Sequence, residues 1–177
     1  YVTLEDQAIT DVELAMLVKV LRGNTTLEIL SLGNNQITDV GMAMLAKVLR
    51  ENTTLVYLGL SYNQITDAGA SSVAEGLIEN TTLKTLDLDS NPMSDAAKQA
   101  VLAIVKQNEE DPAAAVARAA AATGVSVDEF KAALAARVVA AAIAQIAAGN
   151  EWVNLTGKGI DDAGLAKLAE VLRGNTT

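Results

Sequence analysis

The sequence contains no cysteine and no histidine among its 177 residues. Their absence excludes disulfides, thiol nucleophiles, imidazole acid–base catalysis and zinc sites built on these two residue types. Aromatic residues make up only 3% of the chain while half of it is apolar, so we expect an aliphatic core. Acidic residues outnumber basic ones by 22 to 13, giving a net charge of -9. We therefore expect neither a nucleic acid nor an anionic membrane surface as a partner.

Long hydrophobic runs are also lacking. The apolar stretch from 138 to 148 is too short to span a bilayer, and Gln145 interrupts it. The chain begins with Tyr1, and no secretory signal pattern follows that residue. Together with the lack of cysteine, this predicts a cytoplasmic protein without a membrane partner.

An internal repeat organises most of the chain. Residues 25–52, 53–80 and 81–108 align without gaps, with leucine, asparagine and aspartate at matching positions and an Asn-Thr-Thr junction between units. Residues 1–24 are the same unit without its first four positions, and residues 152–177 form a further unit. Such periodicity is typical of repeat architectures. We therefore predict four repeats in 1–108 and a fifth in 151–177.

Each unit combines a strand pattern with a helix pattern. In the second unit Leu30 and Leu32 alternate with polar or small residues, which predicts a strand. A helix is predicted to begin at Thr38-Asp39, and in the first unit Thr10 and Glu13 have the spacing of a capping box. A strand–turn–helix unit of this size cannot bury both of its faces alone, so neighbouring units are expected to stack.

The pattern LxxLxLxxN, followed by ITDxG and LAxxL, resembles the leucine-rich repeats of the ribonuclease-inhibitor-like class. The resemblance implies an α/β solenoid with a parallel sheet inside and helices outside. It also implies that the asparagine of each unit ties down the backbone of the turn, a role that falls to Asn35, Asn63 and Asn91. Gln7 and Lys158 occupy this position in the outlying units, where we expect the turn to be weaker or differently satisfied.

Residues 109–150 interrupt the repeats with an alanine-rich helical hairpin. A first helix is predicted from Asp111-Pro112 to Thr123-Gly124, and Ser126 with Glu129 predicts a capping box for the second. Because the ends of a solenoid need a cover, we interpret the hairpin as a cap. Two orders stay open: residues 109–177 pack before residue 1, or they pack after residue 108.

The outward side chains of the strands form the candidate binding surface. Aromatic residues on a rigid sheet are frequent anchors of protein interfaces. The residues that we expect to contact a partner on this concave face are Trp152, Tyr1, Ile29, Tyr57, Glu5, Asp87 and Asp89. In the alternative, the aromatic row only packs across the strands and shields the sheet.

No pattern in the sequence indicates catalysis or a bound cofactor. Asp87 and Asp89 lie on one strand, but no further ligands converge on them in sequence, so we expect no metal site. The segment 157–159 has neither the Walker nor the dinucleotide-binding spacing. We therefore expect no enzyme, no catalytic residue and no cofactor.

Two functions from different classes follow. The first is a non-catalytic protein-binding scaffold that uses the concave face, with a basic partner favoured by the acidic surface. The alternative is an engineered repeat protein with no natural partner, which the idealised helices and the lack of cysteine and histidine favour. An unpaired strand at an open repeat end, such as that at Tyr1, also predicts self-association.

Overall fold

A computed structural model of the protein describes residues 1–147. The predicted fifth repeat, with Trp152, lies outside the described residues. Strands and helices alternate through the first four units, and two further helices follow. The elements in chain order are β1 (Val2–Thr3), α1 (Asp11–Leu21), β2 (Ile29–Ser31), α2 (Asp39–Glu51), β3 (Tyr57–Gly59), α3 (Asp67–Leu77), β4 (Thr85–Asp87), α4 (Asp95–Glu110), α5 (Pro112–Thr123) and α6 (Val127–Ala147).

The four strands form one parallel sheet in the order β1-β2-β3-β4. Their register follows the repeat, since Leu30 pairs with Leu58 and Leu58 with Leu86. These leucines point toward the helices and are almost fully buried, as is Leu60 after β3. The predicted strand faces, and the parallel sheet with helices on its other side, are therefore confirmed.

An asparagine connects the turn of each of repeats 2, 3 and 4 to the preceding repeat. Asn63 donates its amide N–H groups to the carbonyl oxygens of Leu32, Leu60 and Ser61 at 2.9–3.2 Å. Its Oδ1 accepts the N–H of Ile37 at 3.0 Å. Asn35 and Asn91 make the corresponding bonds one repeat earlier and one repeat later. The role implied by the resemblance is confirmed, and the asparagine also contacts the previous unit.

An aspartate at the start of each of the helices α1, α2 and α3 forms a second connection. Thr66 is the N-cap of α3, as the matching position in each unit predicts, and its N–H and hydroxyl donate to the carboxylate of Asp39 at 2.8 and 2.6 Å. Asp11 binds Thr38 in the same way, and Asp67 binds Ser94. Each of these carboxylates therefore fixes the helix start of the following repeat, a contact that no local pattern predicted.

In repeat 1, the side chains of Gln7 and Glu13 form hydrogen bonds within the repeat itself at the turn and at the helix start. Gln7 donates its amide Nε2–H to the carbonyl of Glu5 at 2.8 Å, so the turn is differently satisfied, as expected. Glu13 accepts the N–H of Thr10 at 2.9 Å in the predicted capping box. Hydrogen bonds from the hydroxyl and then from the N–H of Thr10 hold the pKa of Glu13 below its ordinary value. In repeat 1, Glu13 thus accepts the hydrogen bond that an aspartate of the preceding repeat accepts in repeats 2, 3 and 4.

Helices α2 and α3 approach closely because Gly76 has no side chain. A Cβ at Gly76 would lie 2.4 Å from the carbonyl oxygen of Ala46 and 2.7 Å from its Cα. Backbone atoms of a packed helix cannot move aside as a flexible side chain does. The residue at this position therefore sets the distance between the two helices.

Substitution of Gly76 by alanine is expected to lower the free energy of unfolding by about 1–3 kcal/mol, because the helices must separate. Urea unfolding followed by circular dichroism measures the change. Gly23→Ala is the matched control, since a Cβ at Gly23 meets nothing within 4 Å. Equal stabilities of the two variants would contradict the close packing of α2 on α3.

The helical hairpin forms as predicted. Asp111 caps α5, Pro112 is its first residue, and Gly124 ends it in the left-handed conformation with φ 73°. Ser126 and Glu129 form the predicted capping box at the start of α6. Phe130 of α6 packs on alanines of α5. Within the described residues, no helix is both long enough and apolar enough to cross a membrane.

Arg118 of α5 attaches the hairpin to the solenoid. Its guanidinium donates to the carbonyl oxygens of Ile78 and Asn80 at 3.0 and 2.9 Å and to Oδ1 of Asn108 at 2.8 Å. Further along the chain, Arg137 of α6 donates to the carbonyl of Arg50 at 3.2 Å. These contacts lie where the helices of the repeats end, so the hairpin follows this edge from repeat 4 toward repeat 2. Within the described residues, none from α5 or α6 lines the groove on the outer face of repeat 4.

Candidate partner-binding face

The sheet face turned away from the helices, here called the concave face, carries the predicted row of side chains. Ile29, Tyr57 and Thr85 are register partners on β2, β3 and β4. Tyr1 lies one residue before β1 and continues the row, since Val2 pairs with Leu30. Tyr1 is 89% exposed and Ile29 43% exposed, so this end of the row is open to a partner. Trp152 lies outside the described residues.

Tyr57 lies over the centre of the concave face. A Cβ at Gly59 would come within 3.2 Å of both Cε1 and the hydroxyl of Tyr57, and within 2.9 Å of the Ser31 hydroxyl. The missing side chain at Gly59 therefore makes room for the ring. Burial raises the pKa of the Tyr57 hydroxyl, and the negative charges of Asp87 and Glu5 raise it further. The phenol is thus kept neutral and available as a hydrogen-bond donor.

The three predicted carboxylates have different surroundings. Glu5 accepts a hydrogen bond from the hydroxyl of Ser31, the residue next to Gly59 across the strands. Asp87 ends β4 on the same face and accepts the N–H of Asp89 at 3.0 Å. Asp89 lies beyond β4, in the turn, and forms an ion pair with Lys98 of α4. The structure therefore brings Glu5, Tyr57 and Asp87 together and leaves Asp89 neutralised at the border.

Lys98 was not among the predicted site residues. It occupies the helix position that holds the buried Met42 and Ala70 in the two preceding repeats. The only signal in the sequence was this departure from an apolar position, because the residues between Asp89 and Lys98 form no pattern that predicts the ion pair.

Small residues separate the carboxylates of the concave face. Ser31, Gly59, Gly33 and Ser61 lie between Glu5 at one side and Asp87 at the other, and a Cβ at Gly33 would contact both Ser61 and Glu5. The centre of the face is consequently a shallow surface with an aromatic ring above it and negative charge at both sides. In the described part of the chain, no three acidic residues are grouped closely enough to hold a metal ion.

Comparisons with known proteins agree with this architecture. The family described as Leucine Rich repeat matches residues 23–46, 51–74 and 79–97. A solved structure named Leiomodin-1 Actin-Binding Site 2 is similar, with a TM-score of 0.52 and 20% identity over 62% of this chain and 80% of that chain. No curated protein matches the sequence. The matched segments contain β2, β3 and β4 with the first parts of α2, α3 and α4, and residues 1–110 fold as an α/β leucine-rich-repeat solenoid.

Proposed function

We propose that this chain is a non-catalytic protein-binding scaffold and that its concave face binds a basic segment of a partner protein. One observation carries the proposal: the ring of Tyr57 lies over Gly59, close enough to Glu5 and Asp87 for both carboxylates to raise the pKa of its hydroxyl. An aromatic face flanked by carboxylates has the chemistry that a lysine or arginine side chain requires.

The electrostatics of the whole chain support a basic partner. The net charge of -9 attracts cationic segments from a distance and repels anionic ones. On the concave face, Lys98 already neutralises Asp89, whereas Glu5 and Asp87 have no ion pair within the described residues. These two carboxylates are therefore the charges that remain available to a partner.

The fold supports the class of function. The solved structure that resembles this chain is named as an actin-binding site, so a protein of this fold is described as binding another protein. At 20% identity this likeness carries over the fold and no particular partner. The ribonuclease-inhibitor-like class and the fifth repeat in 151–177 belong to the same proposal. So does a capping role of the hairpin, whose described residues contact the edge where the helices of the repeats end and do not line the groove of repeat 4.

A random peptide library displayed on phage tests the concave face directly. The wild-type protein is expected to enrich peptides rich in lysine and arginine. Tyr57→Ala should weaken the binding of an enriched peptide about tenfold or more, as expected for the loss of a central aromatic anchor. Glu5→Gln and Asp87→Asn should each weaken binding and reduce its dependence on salt.

Tyr62→Ala is the matched control, because Tyr62 is a tyrosine of the same repeat that is exposed and lies in the turn after β3. It should leave peptide binding unchanged. Loss of binding in Tyr62→Ala but not in Tyr57→Ala would place the site elsewhere. Failure to enrich any basic peptide would favour the alternative of an engineered repeat protein with no natural partner.

A further inference from the structure

The outer face of repeat 4 forms a second surface, separate from the concave face. Here a groove of about 420 Å³, the terminal groove, runs between β4 and α4. Its lining includes Lys84, Leu86, Gln99, Leu102 and Lys106, and none of its lining residues comes from α5 or α6. We propose that this groove and the edge of β4 bind an extended segment of a partner protein, with leucine-like residues at alternate positions followed by an asparagine and a serine or threonine.

The backbone of repeat 4 offers hydrogen-bond donors to such a strand. At the preceding junction, Leu60 and Tyr62 donate their N–H groups to Asp87 and Asp89 at 2.8 and 2.9 Å. The equivalent N–H groups of Leu88 and Ser90 have no partner among the described residues. A parallel strand placed beside β4 would accept both bonds, continuing the interface that already connects the four repeats.

Two further groups specify side chains of the bound segment. Ile65 donates its N–H to Oδ1 of Asn91 at 3.1 Å, and the equivalent N–H of Met93 has no partner in residues 1–147. Asp67 binds the N–H and hydroxyl of Ser94, whereas the equivalent carboxylate of Asp95 forms no hydrogen bond or ion pair in the same range. An asparagine and a hydroxyl residue, spaced as in the repeats, would satisfy both groups.

The shape of α4 favours a strand over a complete repeat. Leu102 stands at the position that Ala46 has in α2, where the backbone of α3 makes its close approach through Gly76. The larger side chain of Leu102 keeps a following helix at a greater distance. The space between Leu102 and Leu86 instead suits one apolar side chain of an extended segment.

The groove lining carries charges of both signs. Lys84, Lys106 and Glu109 line it, and Lys106 also forms an ion pair with Glu110 at 3.5 Å. The bound segment is therefore specified by its backbone, its apolar side chains and its two polar side chains, and not by its net charge.

The first and fifth units of this chain fit the groove poorly. Repeat 1 of a second copy has Gln7 in place of the asparagine, and the N–H of its Thr10 is already bound to Glu13. In the sequence of the fifth unit, Lys158 and Asp161 stand at the asparagine and hydroxyl positions, so neither required group is present. The occupant that fits is a segment of another protein.

A labelled synthetic peptide with the sequence of residues 55–67, LVYLGLSYNQITD, serves as the probe. Titrated with the full chain, it should bind with one-to-one stoichiometry and slow amide hydrogen exchange at Leu88 and Ser90. Asp95→Asn should weaken binding about tenfold, because a charge-assisted hydrogen bond is lost. Asp128→Asn, an exposed aspartate on α6, should leave binding unchanged.

Several results would overturn the proposal. These are no saturable binding, slowed exchange at Val2–Glu5 in place of Leu88 and Ser90, or equal affinities for wild type and Asp95→Asn. Protection of Leu88 that rises with protein concentration in the absence of peptide would show that a second copy occupies the groove. Neither Tyr57→Ala nor Glu5→Gln should affect this peptide, so the result is independent of the concave face.

Discussion

Replacement of Asn63 by alanine is expected to lower the free energy of unfolding by about 2–4 kcal/mol. The substitution leaves the buried N–H of Ile37 without a partner and removes one of the two hydrogen bonds to the carbonyl of Leu32, which still accepts from Asn35. A buried polar group that loses its hydrogen bond costs about 1–3 kcal/mol. A typical domain is stable by about 5–15 kcal/mol, so this loss is a large part of the total.

Urea unfolding at a fixed temperature measures the effect. Gln7→Ala is the control at the same repeat position, because the side chain of Gln7 is exposed and bonds only within its own turn, while its bond to Asn35 uses the backbone N–H that alanine keeps. It should change stability by about 0.5 kcal/mol or less. Asn91→Ala should lie between the two, since Asn91 makes similar bonds but is only partly buried. Equal losses at Gln7 and Asn63 would contradict the inter-repeat role of the asparagine.

Leu58→Ala is expected to lower the free energy of unfolding by about 2–5 kcal/mol. Leu58 is fully buried in the middle of the sheet, with Leu30 and Leu86 as its neighbours across the strands. Removal of its side chain leaves a cavity that the neighbouring repeats cannot close without moving the strands. Leu60→Ala should behave alike, because Leu60 is equally buried.

Ser61→Ala provides the matched control, as it changes a side chain on the concave side of the same repeat. It should alter stability by about 0.5 kcal/mol or less. Calorimetric melting of the three variants distinguishes the two strand faces. An unchanged melting temperature in Leu58→Ala, or a large fall in Ser61→Ala, would mean that the faces are inverted.

Stability and binding therefore depend on different residues of the same unit. In repeat 3, Leu58 and Asn63 face the core and the neighbouring repeats, whereas Tyr57 faces the open side of the sheet. Variants of Tyr57 should accordingly lose binding without a comparable loss of stability. This separation makes the proposed concave site testable in a folded protein.

The sequence by itself determined the local structure of each repeat. Alternation around Leu30 and Leu58 placed the buried strand faces, because side chains of a strand point to opposite sides in turn. Thr10 with Glu13 and Ser126 with Glu129 marked helix starts, because a capping box joins residues only three apart. The row through Ile29 and Tyr57 followed from the 28-residue period once parallel stacking was assumed.

Only the tertiary structure decided the contacts between distant residues. Asp39 and Thr66 are 27 positions apart, and Arg118 and Ile78 are 40 apart, so no local pattern predicts either pair. The same holds for the course of the hairpin along the repeat edge and for the ring of Tyr57 over Gly59. Such contacts depend on the distance and angle between stacked repeats, which packing of the side chains in three dimensions sets.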